Sequence, residues 1–266
     1  MRLVGDRCIF SGPQLALHQG GSNGSSMISE SLHKYFYPDE SRDGAAAFYG
    51  WIRQHTTPQT VLLNLGAGPR ADRAPIRVFK GEVARVVGAD IDPDVKCNPE
   101  LDEAYVIKDG RLPFPDRTFD VVVSDWVLEH VESPEKFLGE VRRVLKKGGS
   151  FFFRTPNKYH YVGLIARATP DWFHKLVANR ARGYPPGEHE PWPTYYRLNS
   201  RVAVEEEGRK VGFDPIEIKM WEYEPAYLVF STIPWLIGVA YERAVNRSEA
   251  LSGLRACLIG QMIRRD

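Results

Sequence analysis

Five short apolar runs in the middle of the chain, each stopped by a glycine, an acid or a proline, constrain the fold more than any other feature. They are TVLLNLG (60–66), VARVVGAD (83–90), AYVIKD (104–109), FDVVVSD (119–125) and SFFFRTP (150–156). All are rich in β-branched or aromatic residues, as strands are. They are apolar throughout rather than alternating, the mark of strands covered on both faces. Helical patterns fall between them. In SPEKFLGEVRRVLKKGG, Ser133 stands at the N-cap and Pro134 at the first helical position. Phe137, Leu138, Val141, Val144 and Leu145 form one apolar stripe, and Lys146, Lys147, Gly148 and Gly149 read as the helix end. Strand alternating with helix predicts a doubly wound, mostly parallel α/β sheet.

In such a sheet a ligand sits at the carboxyl ends of the strands, at the switch point beside the first strand. There the sequence reads NLGAGPR, Asn64 to Arg70. Gly66 and Gly68 lack side chains, so backbone can approach a ligand closely. Asp90, about twenty residues on at the end of the second strand, is placed to accept the two hydroxyls of a ribose. A dinucleotide needs its pyrophosphate at a well-formed helix amino end. Pro69, Arg70 and Pro75 crowd that position, so the pattern points to a ribose-bearing cofactor without a pyrophosphate.

Composition narrows the class. The 266 residues carry a net charge of +1, which gives no global attraction to nucleic acid. Hydrophobic content of 43% supports a sizeable core. The three cysteines, Cys8, Cys97 and Cys257, lack metal-type spacing and suit a reducing, cytoplasmic setting. The first ten residues are not followed by an apolar leader, so no secretory signal is expected.

The ordered motifs VLLNLGAGP, VVGADIDP, LPFPDRTFDVVVSDWVLEHV and EVRRVLKKGGSFFFRTPN resemble the class I S-adenosylmethionine-dependent methyltransferases, in the small-molecule branch related to ubiquinone biosynthesis. The resemblance covers about residues 58 to 157. It implies a seven-stranded Rossmann-like sheet, with S-adenosyl-L-methionine as cofactor. It puts the Gly66–Ala67–Gly68 turn against the methionine part, Asp90 on the ribose, Ile91 beside the adenine, and Asp109 and Gly110 at the adenine edge. Ser124, Asp125 and Trp126 then border the methionine end. Asn64 stands where the family has an acid, and Arg70 where it has the third glycine. Relatives that bind metal use a Glu-x-x-Glu-His array; here Trp126 replaces the first glutamate before Glu129 and His130, so no metal is expected.

The expected organisation is a flexible segment (1–28), a helical cap (29–57), the cofactor core (58–157), an inserted lid (158–200) and a C-terminal part of the sheet with an apolar insertion (201–266). In the cap, a helix near Ser41 to His55 has Ala47, Phe48, Trp51 and Ile52 on one face, and Tyr35 and Tyr37 are placed to close over the cofactor. The lid, with a short helix at Trp172 to Asn179 and Trp192, Tyr195 and Tyr196 near its end, has the aromatic content of an acceptor wall. If the acceptor is a hydroxyl, a histidine base fits, and His130, His160 and His189 are the candidates, ahead of His174. GFDPIEIKMWEYE reads as the sixth strand, and RACLIGQMIR as a last strand slotted antiparallel between the fifth and sixth. Residues 225–241 carry an uncharged apolar stretch with Pro234 inside, short for a membrane span; core, partner surface and peripheral membrane contact are its three readings. The expected function is methyl transfer to a hydroxyl of a small-molecule, saccharide or lipid-linked acceptor. A nucleic-acid or protein methyltransferase and a non-catalytic cofactor-fold protein remain the alternatives.

Overall fold

The computed structural model describes residues 2–4, 7–9, 28–38, 44–69, 75–168, 193–225, 228–229 and 231–266. Arg70, His174, His189, Trp192 and the expected helix at Trp172 to Asn179 lie outside the described residues, as do 10–27 of the expected flexible segment. Within that segment, Arg2–Val4 (β1) and Arg7–Ile9 (β2) pair as a small antiparallel ribbon.

Seven strands make the main sheet: β3 (Val61–Leu65), β4 (Arg85–Asp90), β5 (Glu103–Val106), β6 (Phe119–Asp125), β7 (Leu145–Pro156), β8 (Phe213–Trp221) and β9 (Cys257–Arg264). Their order is β5-β4-β3-β6-β7-β9-β8. The first five strands run parallel, while β9 lies antiparallel between β7 and β8, as expected. The chain winds outward from β3 in one direction and from β6 in the other. The crevice for a ligand therefore opens beside the C-terminal ends of β3 and β6.

Strand alternation sends successive side chains to opposite faces. Leu63, Leu65, Val122, Phe151 and Phe153 join one core cluster, and Leu62, Val121, Val123 and Phe152 join the other. Helix α3 (Pro134–Val144) covers the first face through Leu138, Val141 and Val144. Helix α2 (Gly44–Arg53) covers the second through Ala45, Phe48, Trp51 and Ile52. The central strands β3, β4, β6 and β7 are thus buried on both sides, which is why their runs are apolar throughout, while β5 at the sheet's edge stays partly exposed.

Three expectations are corrected. Ser133 caps α3 only with its carbonyl, which accepts Phe137 N–H at 3.0 Å; its hydroxyl makes no capping bond. The helix stops at Val144, because Leu145 already pairs with Phe119 in the sheet. Lys146 reaches Asp120 at 2.8 Å rather than the helix end, and Gly149 is needed because a Cβ there would lie 2.9 Å from Lys146 O. Tyr35 and Tyr37 have different surroundings. Their helix, α1 (Glu30–Phe36), leaves Tyr35 exposed and ends at Tyr37, which packs on Trp235.

Two further helices, α4 (Tyr161–Ala168) and α5 (Arg201–Lys210), follow β7 and precede β8. Between β8 and β9 the apolar stretch becomes α6 (Thr232–Arg247). Pro234 falls in its first turn, where a missing N–H costs nothing. Among the described residues no helix is long and apolar enough to cross a membrane. Trp235 and Val239 of α6 pack with Ile28 and Tyr37, while His33 meets Glu224 at 2.9 Å and Arg243 donates to Phe36 O at 2.8 Å. The first helix of the cap, α1, is therefore docked on the C-terminal insertion.

Candidate active site

The turn after β3 is held from two sides. Gly66 and Gly68 have φ of 81° and 58°, the left-handed region where a side chain is strained. A Cβ on Gly66 would stand 2.2 Å from Val127 Cγ2. Gly66 N–H donates to Ala89 O at 2.8 Å, and Gly68 N–H to Asp90 Oδ2 at 2.8 Å. Asp90 Oδ1 accepts Asp92 N–H at 2.9 Å. From below, Asn98 Nδ2 donates to Gly68 O at 2.9 Å. The structure thus brings Gly66, Ala67, Gly68 and Asp90 into one hydrogen-bonded unit. Each carboxylate oxygen of Asp90 has a second lone pair left to accept from a ligand.

Ile91, next in sequence, is 55% exposed. Asp109 and Gly110 form the loop after β5, both at positive φ and both exposed. They stand beyond Asp90, because Ile107 N–H donates to Asp90 O at 2.8 Å. A flat group extending from Asp90 toward β5 would meet Ile91 and then this loop.

At the end of β6 the three expected residues part company. Ser124 is fully buried, and its hydroxyl has no hydrogen-bond partner among the described residues. Trp126 is half-buried at φ 60°, its N–H bonded to Arg154 O at 2.9 Å. Asp125 is committed to the protein. Arg154 on β7 grips it with Nε to Oδ1 at 2.6 Å and Nη2 to Oδ2 at 2.8 Å, and Tyr49 donates to Oδ2 at 2.8 Å. Trp126 lies under the same guanidinium, 5.4 Å from ring centre to Cζ. Burial pulls the pKa of Arg154 down, but the charge and hydrogen bonds of Asp125 outweigh it and hold the group above its ordinary range. The sequence reading missed Arg154 and Tyr49; the arginine within the apolar run SFFFRTP was the available signal.

Two of the three candidate histidines can be placed. His130 ends a short turn after β6 and stays partly exposed; its Nδ1 lies 2.8 Å from Pro193 O. A carbonyl can only accept, so Nδ1 carries the hydrogen. In the neutral ring Nε2 then holds the lone pair. His160 is buried between Tyr161 and Tyr241. Its Nε2 is 3.3 Å from Glu222 Oε2, outside hydrogen-bonding angles. Burial, then the Glu222 charge, pushes the Tyr241 hydroxyl up to about 12.

Glu129, beside His130, is a third residue the sequence did not single out for itself. Its side chain is buried and accepts Thr155 Oγ1–H at 3.2 Å. Burial raises its pKa above the usual carboxylate range, and the local hydrogen bonds and His130 offset only part of that. Its backbone carbonyl accepts Tyr195 N–H at 2.7 Å and Tyr196 N–H at 3.2 Å. With the His130–Pro193 bond, these contacts fasten residues 193–196 to the turn after β6. A cavity of about 1020 Å³ lies elsewhere, between β8 and α6, lined by Glu222, Glu242 and Arg243 among others. It borders the far edge of the sheet and not the glycine turn.

Residues 63–153 match the family model described as a methyltransferase domain. A probable S-adenosylmethionine-dependent methyltransferase of Mycolicibacterium smegmatis is 38% identical over 146 residues, 49% of this chain and 54% of that protein. A demethylmenaquinone methyltransferase of Tropheryma whipplei is 33% identical over 134 residues, 46% of this chain and 55% of that protein. The chain thus spans about half the length of these curated relatives. Among solved structures, a putative methyltransferase from Haloferax volcanii in complex with its Trm112 activator superposes with a TM-score of 0.54 at 20% identity, covering 85% of this chain and 92% of that one. At that identity the likeness concerns the fold.

Proposed function

From a chain whose α/β core belongs to the class I S-adenosylmethionine-dependent methyltransferases, we propose transfer of a methyl group from S-adenosyl-L-methionine to a hydroxyl of a small acceptor, saccharide or lipid-linked. The observation that carries the cofactor assignment is the unit of Gly66, Gly68 and Asp90 at the switch point, with both glycines at positive φ and lone pairs left on the carboxylate. When bound, the cofactor supplies an activated methyl group on a sulfonium. Gly66–Ala67–Gly68 would face its methionine part and Asp90 its ribose hydroxyls. Ile91, Asp109 and Gly110 would border the adenine. Ser124, whose buried hydroxyl has no partner among the described residues, and Trp126, an aromatic wall, would border the methionine end.

The chain's own work is to position, to exclude water and to hold a proton. The Asp125–Arg154 pair keeps the ends of β6 and β7 at fixed spacing. His130 suits the base, since Pro193 holds Nδ1 and leaves Nε2 to take the acceptor's hydroxyl proton. His160 faces a carboxylate and suits a positioning role after β7. A saccharide or lipid-linked acceptor is favoured by the half-exposed Tyr195, whose ring offers a flat apolar face with a polar rim. Calorimetry tests the cofactor reading: S-adenosylmethionine and its demethylated product should bind in the micromolar range, about −8 kcal/mol, and NAD should not. The acceptor reading is tested by supplying methyl-labelled cofactor with fractionated polar and lipid extracts. Label fixed as a base-stable methyl ether supports it; label fixed only on nitrogen, or on protein or nucleic acid, refutes it.

A further inference from the structure

The apolar stretch of 225–241 divides into two faces once it is folded. Trp235 and Val239 turn inward, under α1, and Gly238 faces Pro225 and Leu228. Ile233 and Ile237, four residues apart, turn outward at 72% and 65% exposure, with Leu236 beside them. One more turn along the same ridge is Tyr241, whose ring lies 4.9 Å from Tyr161 and whose hydroxyl donates to Leu254 O at 2.6 Å. Leu254 is itself exposed, as are Leu164, one turn beyond Tyr161, and Tyr159. The ridge therefore runs from the start of α6 to the turn after β7, where three separate segments add apolar side chains to one surface.

A monomer rarely leaves so continuous an apolar strip open to water. The charges along it indicate what it meets. Glu249 is taken by Arg255 at 2.8 Å, Glu242 is buried, and Glu30 pairs with Lys34 at 2.8 Å. Arg247 and Lys158 border the ridge and make no ion pair among the described residues. Lys158 instead lies over the Tyr159 ring, 5.2 Å from its centre. Exposed aliphatic side chains, flanking tyrosines and unpaired cations are the components of a helix that lies in the plane of a bilayer.

We propose that the outer face of α6, with Leu254 and the Tyr159–Leu164 turn, docks on an anionic lipid surface. The inserted side chains are Ile233, Leu236 and Ile237, and Arg247 and Lys158 reach the headgroups. Docking in this way sets the C-terminal end of β7 against the lipid–water interface.

Flotation of the full chain with phosphatidylcholine vesicles, with and without one third phosphatidylglycerol, tests this. The chain should float with the anionic vesicles, and less as salt is raised. The double variant Ile233→Glu/Ile237→Glu should lower the bound fraction about tenfold or more. Arg247→Glu should weaken binding to the anionic vesicles alone. The substituted positions are exposed, and an unchanged thermal transition and cofactor affinity certify the fold of each variant. Failure of the wild type to float with either vesicle, or equal flotation of the double variant, overturns the proposal. So does a dimer in sedimentation velocity that the double variant dissolves, which assigns the face to a second copy. Cofactor affinity, read in the same preparations, judges the methyltransferase reading separately.

Discussion

Asp90 accepts the Gly68 N–H through one oxygen and the Asp92 N–H through the other, so the residue proposed to hold the ribose also shapes the turn beside it. Asp90→Ala should weaken S-adenosylmethionine binding by about 2 kcal/mol, read by calorimetry, and should lower the melting temperature slightly as the turn loosens. Unchanged affinity would move the ribose contact to Asp92. The Asp125–Arg154 pair behaves differently, because both groups are buried. Arg154→Met removes both guanidinium hydrogen bonds from the buried carboxylate, leaving it Tyr49 and the more distant Arg77, and should cost about 3 kcal/mol in urea unfolding, and the double variant with Asp125→Leu should regain part of it. Glu129 gives a pH signature. Burial raises its folded pKa above the ordinary glutamate value, so the native state binds the proton more tightly than the unfolded chain. Stability is then highest below the unfolded value and falls as pH rises from there through the folded one. Glu129→Gln should flatten that fall in urea titrations run across the window. The glycines and Asp90 were legible because strand ends announce them within one short stretch. The commitment of Asp125 was not, because Arg154 and Tyr49 reach it from distant segments.

At the scale of elements, the strands were legible and the helix ends were not. A strand buried on both faces must be apolar at every position, and that leaves a plain record in the sequence. The end of α3 has two readings: Lys146–Lys147–Gly148–Gly149 looks like a stop signal, yet the pairing of Leu145 with Phe119 claims the chain one residue after the helix. The last strand depends on a small residue at its centre. A Cβ on Gly260 would lie 2.0 Å from Phe153 Cζ, and Phe153 is fully buried with no room to retreat. Gly260→Ala should therefore destabilise the protein by about 1–3 kcal/mol, measured by chemical unfolding. Gly50→Ala, where nothing lies within 4 Å of the added carbon, should be neutral or mildly stabilising in the same assay. The apolar insertion could be read from sequence as one feature, but only the fold separates its buried ridge from its exposed one.

Across the whole molecule, segments far apart in sequence converge on the C-terminal ends of the strands. Pro193 and Tyr195 are bonded to the turn that carries His130 and Glu129, so the chain from Pro193 to Tyr196 is fixed to the site. Replacing 169–192 by a short flexible linker should leave cofactor affinity within about twofold, since none of the proposed cofactor contacts lies in it, and should abolish transfer to the acceptor; calorimetry and label transfer read the two. The sheet's connectivity was visible in outline from the alternation of runs and helices, while the antiparallel place of the last strand was what the family resemblance implied. The late arrival of that strand matters during synthesis. On the ribosome, β3 through β7 can pair as they emerge, but β8 finds no neighbour until residues 257–264 have left the exit tunnel. Until then the open edge of β7, with Phe151 to Phe153 along it, is a template for strands of other nascent chains. The stage most exposed to misassembly is the interval between completion of β7 and arrival of β9, and a chaperone that shields hydrophobic strand edges has its greatest effect there.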